Sequence, residues 1–356
     1  MTRLELIKRE MAEQGIDAIY LTSAENHRYA CGFNNPDGQV LITKNKSYVF
    51  ADFRYIEAAK REVAAGFDVV MPESRETEYI PALLAENEVK SFGFEEDNMT
   101  FAHYSRLKEA LGDVETVPAA KVMNARRITK TDDEVACIVK AQRIAEAALE
   151  ELLGRITYDM TEKEVAAELE YLMKRGGAEN ISFETIAVSG SNSSSPHGVP
   201  RNVKLERGFL TLDFGATIDG YHSDMTRTVV IGKADEKMKH LYNTVLKAQT
   251  SVLDVITEGA HNREMDKVAR DIIDSTEYKG CFGHSLGHGV GLLIHELPNL
   301  SPKSPEGLTL HAGEIVTVEP GIYVEGLYGC RIEDMVHITP GGAVNLTAAP
   351  KELIEL

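Results

Sequence analysis

Apolar positions in roughly the first 120 residues alternate between helical spacing and short continuous runs, the pattern of an α/β unit. It predicts helix over Arg3–Gln14, strands at Asp17–Leu21, Val40–Ile42 and Ser47–Phe50, and helix over Tyr55–Val63. Strands at Phe67–Met71 and Ser91–Phe94 and a helix over Phe101–Leu111 continue the alternation. Between Pro118 and Lys130 the strand pattern stops and Lys121, Arg126, Arg127 and Lys130 cluster, which places a boundary there. From Thr131 the spacing is different. Thr131-Asp-Asp-Glu134 reads as a capping box opening a long helix, and Thr161 to Glu164 opens a second that runs through Met173. A strand-like ISFETIAVSG and a Ser/Gly/Pro-rich loop, Ser191–Arg201, follow.

Next comes LTLDFGATIDGYHSD, Leu210 to Asp224, whose alternation is that of a strand and whose Asp219-Gly220 favours a tight hairpin turn. If Ile218 faces Tyr221 across the turn, Asp213 faces Thr226, and Asp224 lies diagonally from Asp213 on the same side of the ribbon. Helices at Ala234–Ile256 and Asn262–Ser275, a Gly/His stretch Gly283–Glu296, and strands at Glu314–Glu319 and Arg331–Ile338 then repeat the order of helix, helix, strand and hairpin. Two pseudo-symmetric halves facing a carboxylate-lined cleft are expected, with Asp213 and Asp224 in one and Glu319 and Glu333 in the other.

Composition narrows the classes. Of 356 residues 43% are hydrophobic, enough for a large core, and the formal charge of −18 makes nucleic acid and anionic membrane poor partners. No membrane-length apolar run or apolar leader core is present, so a cytoplasmic location is expected. Cys31, Cys137, Cys281 and Cys330 form no CxxC pair and read as reduced, structural thiols.

An acidic residue in an apolar strand ordinarily points to water, and a histidine ordinarily makes a structural hydrogen bond. Four such carboxylates together with His284, His288 and His295 among four glycines change that reading, and at least one of these histidines is expected to be a ligand. Four carboxylates and one neutral imidazole sum to −4, which two divalent cations neutralise. Oxygen-rich ligation favours Mn²⁺, with Co²⁺, Fe²⁺ or Zn²⁺ able to bind, and two such ions can hold a bridging water and polarise an amide carbonyl.

DFGA at Asp213, SDMTRT around Asp224, GHGVG at His288, EPGIY at Glu319 and RIED at Glu333 resemble the M24 metallopeptidases of pita-bread fold, specifically their Xaa-Pro dipeptidases (prolidases) and Xaa-Pro aminopeptidases. The resemblance covers Thr131–Leu356. The first part is similar to the creatinase/prolidase N-terminal domain, which implies an α/β domain over 1–122 and an α+β catalytic domain over 123–356.

The resemblance implies that Asp224 and Glu333 bridge two metals, that Asp213 completes one site, and that His288 and Glu319 complete the other. A metal-bridging hydroxide then attacks the scissile carbonyl, with Glu319 as proton acceptor and shuttle. His295 stabilises the tetrahedral oxygen, His197 contacts substrate, and His284 and Arg331 act as pocket groups. Thr226 is expected to donate to Asp213. A homodimer acting on short proline-containing peptides is implied.

Methionine aminopeptidases of this family typically lack the N-terminal domain, and creatinases lack the metal ligands. Xaa-Pro dipeptide cleavage is the preferred reading, with aminopeptidase P activity on longer peptides as the alternative. A non-catalytic pita-bread binding module is the reading from another class, disfavoured by the intact ligand set. Several prolidases carry an arginine shortly after the HE motif, where this chain has Asn299, so Arg331 and Arg201 are the candidates to meet a substrate carboxylate.

Overall fold

The computed structural model describes residues 1–356, which divide into Met1–Arg127 and Ile128–Leu356. In the first unit the helices are α1 (Arg3–Glu13), α2 (Ala24–Cys31), α3 (Ile56–Glu62), α4 (Glu76–Glu86), α5 (Phe101–Leu111) and α6 (Ala120–Arg127). Its strands are β1 (Ala18–Leu21), β2 (Gln39–Thr43), β3 (Ser47–Phe50), β4 (Asp68–Val70), β5 (Ser91–Phe94) and β6 (Glu115–Pro118), in one mixed sheet of order β4-β3-β2-β1-β5-β6. Tyr20, Leu41, Phe50, Phe92 and Leu107 form its core. A division after residue 122 would cut α6, which packs on α1 within this unit.

The second unit carries α7 (Asp132–Leu153) and α8 (Glu162–Arg175), then β7 (Asn180–Ile181), β8 (Ile186–Ser189), β9 (Gly208–Phe214), β10 (Ala216–Ile218), β11 (Tyr221–His222) and β12 (Met225–Ile231). Its second half has α9 (Glu236–Leu253), α10 (Asn262–Asp274), β13 (Gly287–Gly289), β14 (Glu296–Leu300), β15 (Ile315–Val318), β16 (Gly321–Val324), β17 (Tyr328–Arg331), β18 (Asp334–Thr339) and β19 (Gly342–Asn345). Both expected capping boxes form, at Thr131 with Glu134 and at Thr161 with Glu164.

The two halves repeat at the level of single hydrogen bonds. At the start of α8, Glu162 N donates to Val203 O (3.2 Å) and Leu205 N to Met160 O (2.9 Å); at the start of α10, Asn262 N donates to Leu308 O (3.1 Å) and Leu310 N to Ala260 O (2.9 Å). Each helix pair covers one sheet, β12-β9-β8 in the first half and β14-β13-β15-β18-β19 in the second.

Two expectations change. ISFETIAVSG is not one strand, since Ser182–Thr185 leaves the ladder between β7 and β8. The strand expected over Arg331–Ile338 breaks at Ile332-Glu333, where Glu333 N turns to Thr226 O (3.2 Å). The glycines around His288 form the short strand β13 and permit a close approach of neighbouring backbone. A Cβ on Gly287 would lie 2.0 Å from Thr317 O and one on Gly289 2.2 Å from Leu297 O. No helix is long and apolar enough to cross a membrane.

Candidate metal centre

The first pair of carboxylates comes from the hairpin that the Asp219-Gly220 turn sets in register. Ile218 pairs with Tyr221 and Asp213 with Thr226, as expected. Asp219 itself adopts φ of +48° and Gly220 φ of +74°, the left-handed pair this tight turn requires. Asp224 lies at the break between β11 and β12, almost wholly buried. Thr226 departs from expectation. Its hydroxyl donates to Glu333 Oε2 (2.7 Å) instead of Asp213 and accepts from Arg331 Nε (3.0 Å).

The second pair flanks the β15-β18 ladder. Glu319 follows β15 at the point where Pro320 stops it, and its Oε1 accepts from Thr317 Oγ1 (3.2 Å). Glu333 precedes β18 and is 1% exposed, and the Glu319 side chain is 16% exposed, so neither glutamate points freely to water. Arg227 holds the backbone there, donating to Glu333 O (2.6 Å) and pairing with buried Asp334 (2.8 Å).

Hairpin β13-β14 supplies the imidazoles. His288 N donates to Thr317 Oγ1 (3.1 Å), and His288 Nε2 lies 3.3 Å from Glu319 Oε1 and 3.6 Å from Asp224 Oδ2. The His288 and His295 rings meet edge to face at 4.3 Å. Ahead of this hairpin, Asp266 and Arg270 of α10 hold the loop that carries His284. Arg270 donates to His284 O (2.8 Å) and Asp266 accepts from Leu286 N (3.0 Å). His197 is exposed in the loop before Val199.

Arg331 ties these pieces together from a buried position. Its guanidinium reaches Asp213 Oδ2 (2.5 Å), Tyr323 Oη (2.6 Å) and Pro196 O (3.2 Å). Tyr323 in turn meets His284 Nε2 at 3.0 Å. Nine of the side chains singled out from the sequence, His197, Asp213, Asp224, His284, His288, His295, Glu319, Arg331 and Glu333, line one cleft of about 730 Å³. Arg201 does not line it, because its guanidinium is held by Glu162 (2.9 Å) and Glu206 (3.1 Å).

Burial and crowding govern the charges. Burial first, then the neighbouring carboxylates, hold the Asp224 and Glu333 carboxyls well above their ordinary range, and burial raises Asp213 as well. Glu319 goes the other way, to about 2: burial works against its charge, but the hydrogen bond from His288 together with the charges of His288, His284 and Arg331 outweighs it. His288 is raised by the same partnership against its own burial. His295 is lowered by burial and then by His288.

These residues fit a divalent cation. Donor atoms of Asp224, His288 and Glu333 lie within 4.8 Å of one another. Asp213 Oδ1 is buried with no hydrogen-bond partner, and the surrounding donors are mostly oxygen, the set that hard divalent ions take. Cations there would replace protons that the crowded carboxyls otherwise retain.

Several residues escaped the sequence reading: Phe183, Glu184, Ile186 and Ile294 on the cleft walls, and Tyr323, whose hydroxyl accepts from Arg331. A signal for Tyr323 existed. Cβ atoms on Gly321 and Gly329 would fall 2.4 Å and 2.7 Å from its side chain, so the glycines bracketing it on the β16-β17 hairpin make its room.

Two family models match the chain, metallopeptidase family M24 over residues 136–340 and the Creatinase/Prolidase N-terminal domain over residues 3–129. Among relatives, the chain is 37% identical to an Xaa-Pro dipeptidase of Pyrococcus furiosus, over 99% of each chain. It is similar to the solved Xaa-Pro dipeptidase of Bacillus anthracis, with a TM-score of 0.95, 41% identity and 99% of each chain covered. It also resembles the X-Pro aminopeptidase of Thermotoga maritima, with a TM-score of 0.90, 34% identity, and 98% of this chain and 100% of that one covered.

Proposed function

We propose, from the premise that the chain belongs to metallopeptidase family M24 and carries that family's creatinase/prolidase N-terminal and pita-bread catalytic domains, that it is a dinuclear-metal hydrolase cleaving Xaa-Pro dipeptides. The observation that carries this reading is the convergence of the nine side chains on one cleft. Asp213, Asp224, His288, Glu319 and Glu333 would hold two divalent cations, Mn²⁺ first, with Co²⁺, Fe²⁺ or Zn²⁺ able to take the same donors. Such ions, when bound, supply a water of lowered pKa and a Lewis acid for the scissile carbonyl. Glu319 accepts the proton given up by the attacking water and passes it to the leaving prolyl nitrogen. His295 hydrogen-bonds the carbonyl oxygen as charge develops on it, and His197, at the cleft wall, orients the substrate. His284, through Tyr323, and Arg331, through Asp213, hold the pocket in shape. A homodimer and a cytoplasmic location remain expectations of the same reading.

One feature favours aminopeptidase P activity on longer peptides as the second reading. Arg331 is the sole lysine or arginine lining the cleft, and its guanidinium is committed to Asp213, Tyr323 and Pro196. A dipeptide's carboxylate thus finds no free guanidinium, whereas a longer peptide presents no carboxylate there. Mn²⁺-loaded protein incubated with an Xaa-Pro dipeptide and a matching Xaa-Pro-Yaa-Zaa peptide separates the two. Release of the first residue from the dipeptide alone supports the dipeptidase, preference for the longer peptide the aminopeptidase, and cleavage of neither returns the non-catalytic binding module.

A further inference from the structure

The loop between β13 and β14 delivers His295 to the cleft; Val290 and Leu292 are buried on its first half, whereas Leu293, Ile294 and His295 on its second half are not. It is held from behind. Gly291 O accepts from His222 N (2.8 Å), and Leu293 N donates to Glu296 Oε2 (3.4 Å), folding the loop onto the carboxylate of the residue after His295. That carboxylate lies against Gly291 so closely that a Cβ there would sit 2.2 Å from Glu296 Oε1. The opposing charge is Lys130, whose ammonium is 2.6 Å from Glu296 Oε1, with side-chain exposures of 1% and 8%.

Lys130 stands just beyond Arg127, where the first unit ends, and its own backbone is pinned by a hydrogen bond from Lys130 N to Gly313 O (2.8 Å). A buried carboxylate without a counter-charge would move toward water or take up a proton, and either change would release Leu293 and the turn before His295.

We propose that Lys130 is a positioning residue for the reaction: by neutralising Glu296 it fixes the turn that presents His295 to the cleft. This rests on the peptidase reading, in which His295 meets the substrate's carbonyl oxygen. Misplacing such a group by about 1 Å costs on the order of a hundredfold in rate. Lys130→Met is therefore expected to lower kcat by about tenfold to a hundredfold while bound Mn²⁺ stays at the parent level, and Lys130→Arg is expected to restore most of it.

The test is a double-mutant cycle on Mn²⁺-loaded full-length protein with an Xaa-Pro peptide, combining Lys130→Met with His295→Ala. If Lys130 acts through His295, Lys130→Met adds no further loss in the His295→Ala background. Additive losses, or no loss from Lys130→Met alone, overturn the proposal. Should Lys130→Met not fold, Lys130→Met/Glu296→Gln, which leaves no uncompensated charge, is expected to fold and keep most of the parent kcat, and a loss of about tenfold or more in that variant overturns the proposal. Histidine-ring NMR gives a reading independent of turnover. The His295 signal, assigned through His295→Ala, is expected to shift in Lys130→Met and to return in Lys130→Arg, and an unmoved signal overturns the proposal even if neither peptide is cleaved. An enzyme inactive on both peptides whose His295 signal shifts refutes the peptidase reading and leaves the positioning intact.

Discussion

Thr226→Val separates the energetics of the metal site from those of the fold. Valine replaces the hydroxyl with a methyl of similar size at a fully buried position, so no cavity opens and hydrogen bonds alone are lost. The hydroxyl serves two charged partners, donating to Glu333 Oε2 at 2.7 Å and accepting from Arg331 Nε at 3.0 Å. A hydrogen bond to a charged group contributes about 1.5–3 kcal/mol. Arg331 keeps Asp213, Tyr323 and Pro196, so its loss falls alike on the metal-free and metal-loaded protein. The Glu333 share differs between the two. Without metal, burial and neighbouring charge favour a protonated Glu333, which needs the donor less; with metal the carboxylate is ionised and needs it fully. Mn²⁺ affinity is therefore expected to fall by about tenfold to a hundredfold. Urea unfolding should show a larger loss with metal than without, and Thr226→Ser should recover both. The assay is Mn²⁺ titration of stripped protein against a competing chelator. An unchanged Kd, or a serine variant as weak as the valine, would refute the reasoning.

Other expectations follow from the same geometry. Gly287→Ala drives a Cβ to 2.0 Å from Thr317 O, a backbone atom that cannot yield, so a loss of about 3 kcal/mol or more in thermal or urea unfolding, together with loss of bound metal, is expected. In the metal-free protein Asp224 and Glu333 are raised above their unfolded values, so their contribution favours folding below the ordinary carboxylate range and is lost as pH climbs above it. Metal competes with those protons. Binding should release protons at neutral pH and tighten as pH rises, which calorimetry in two buffers of different ionisation enthalpy would read. His197→Ala should lower turnover and leave metal content unchanged, since His197 is exposed at the cleft wall. A fall in metal content would instead make it a ligand.

The legible parts of the structure are those whose signal is local. Asp219-Gly220 sets a turn, and counting outward from it places Asp213 opposite Thr226 without further information. Pro320-Gly321 stops β15, and Glu319 is therefore at its end. What the hydroxyl of Thr226 bonds to depends on Arg331, far along the chain, so register alone assigned it to the wrong carboxylate.

Three helices were not predicted, α2 because its start depends on a distant partner and α4 and α6 because their local pattern is obscured. Polar AENHRYAC in α2 starts at Ser23, where the buried carboxylate of Glu95 accepts from Ser23 N and Ser23 Oγ (both 2.9 Å). Pro81 interrupts the pattern of α4, and the basic residues of α6 hid the buried Val122 and Met123. Ser182–Thr185 and Ile332-Glu333 read as strand because their residues have β propensity, yet their backbones turn aside at the cleft.

The central claim, a two-metal centre built from Asp213, Asp224, His288, Glu319 and Glu333, is tested most directly by titrating stripped protein with Mn²⁺ while following both bound metal and Xaa-Pro cleavage. Bound metal and activity should saturate together at two ions per chain in the parent protein, and both should collapse in His288→Ala and Glu333→Ala. Saturation of activity at one ion per chain, or full turnover by either variant with its metals in place, would contradict it.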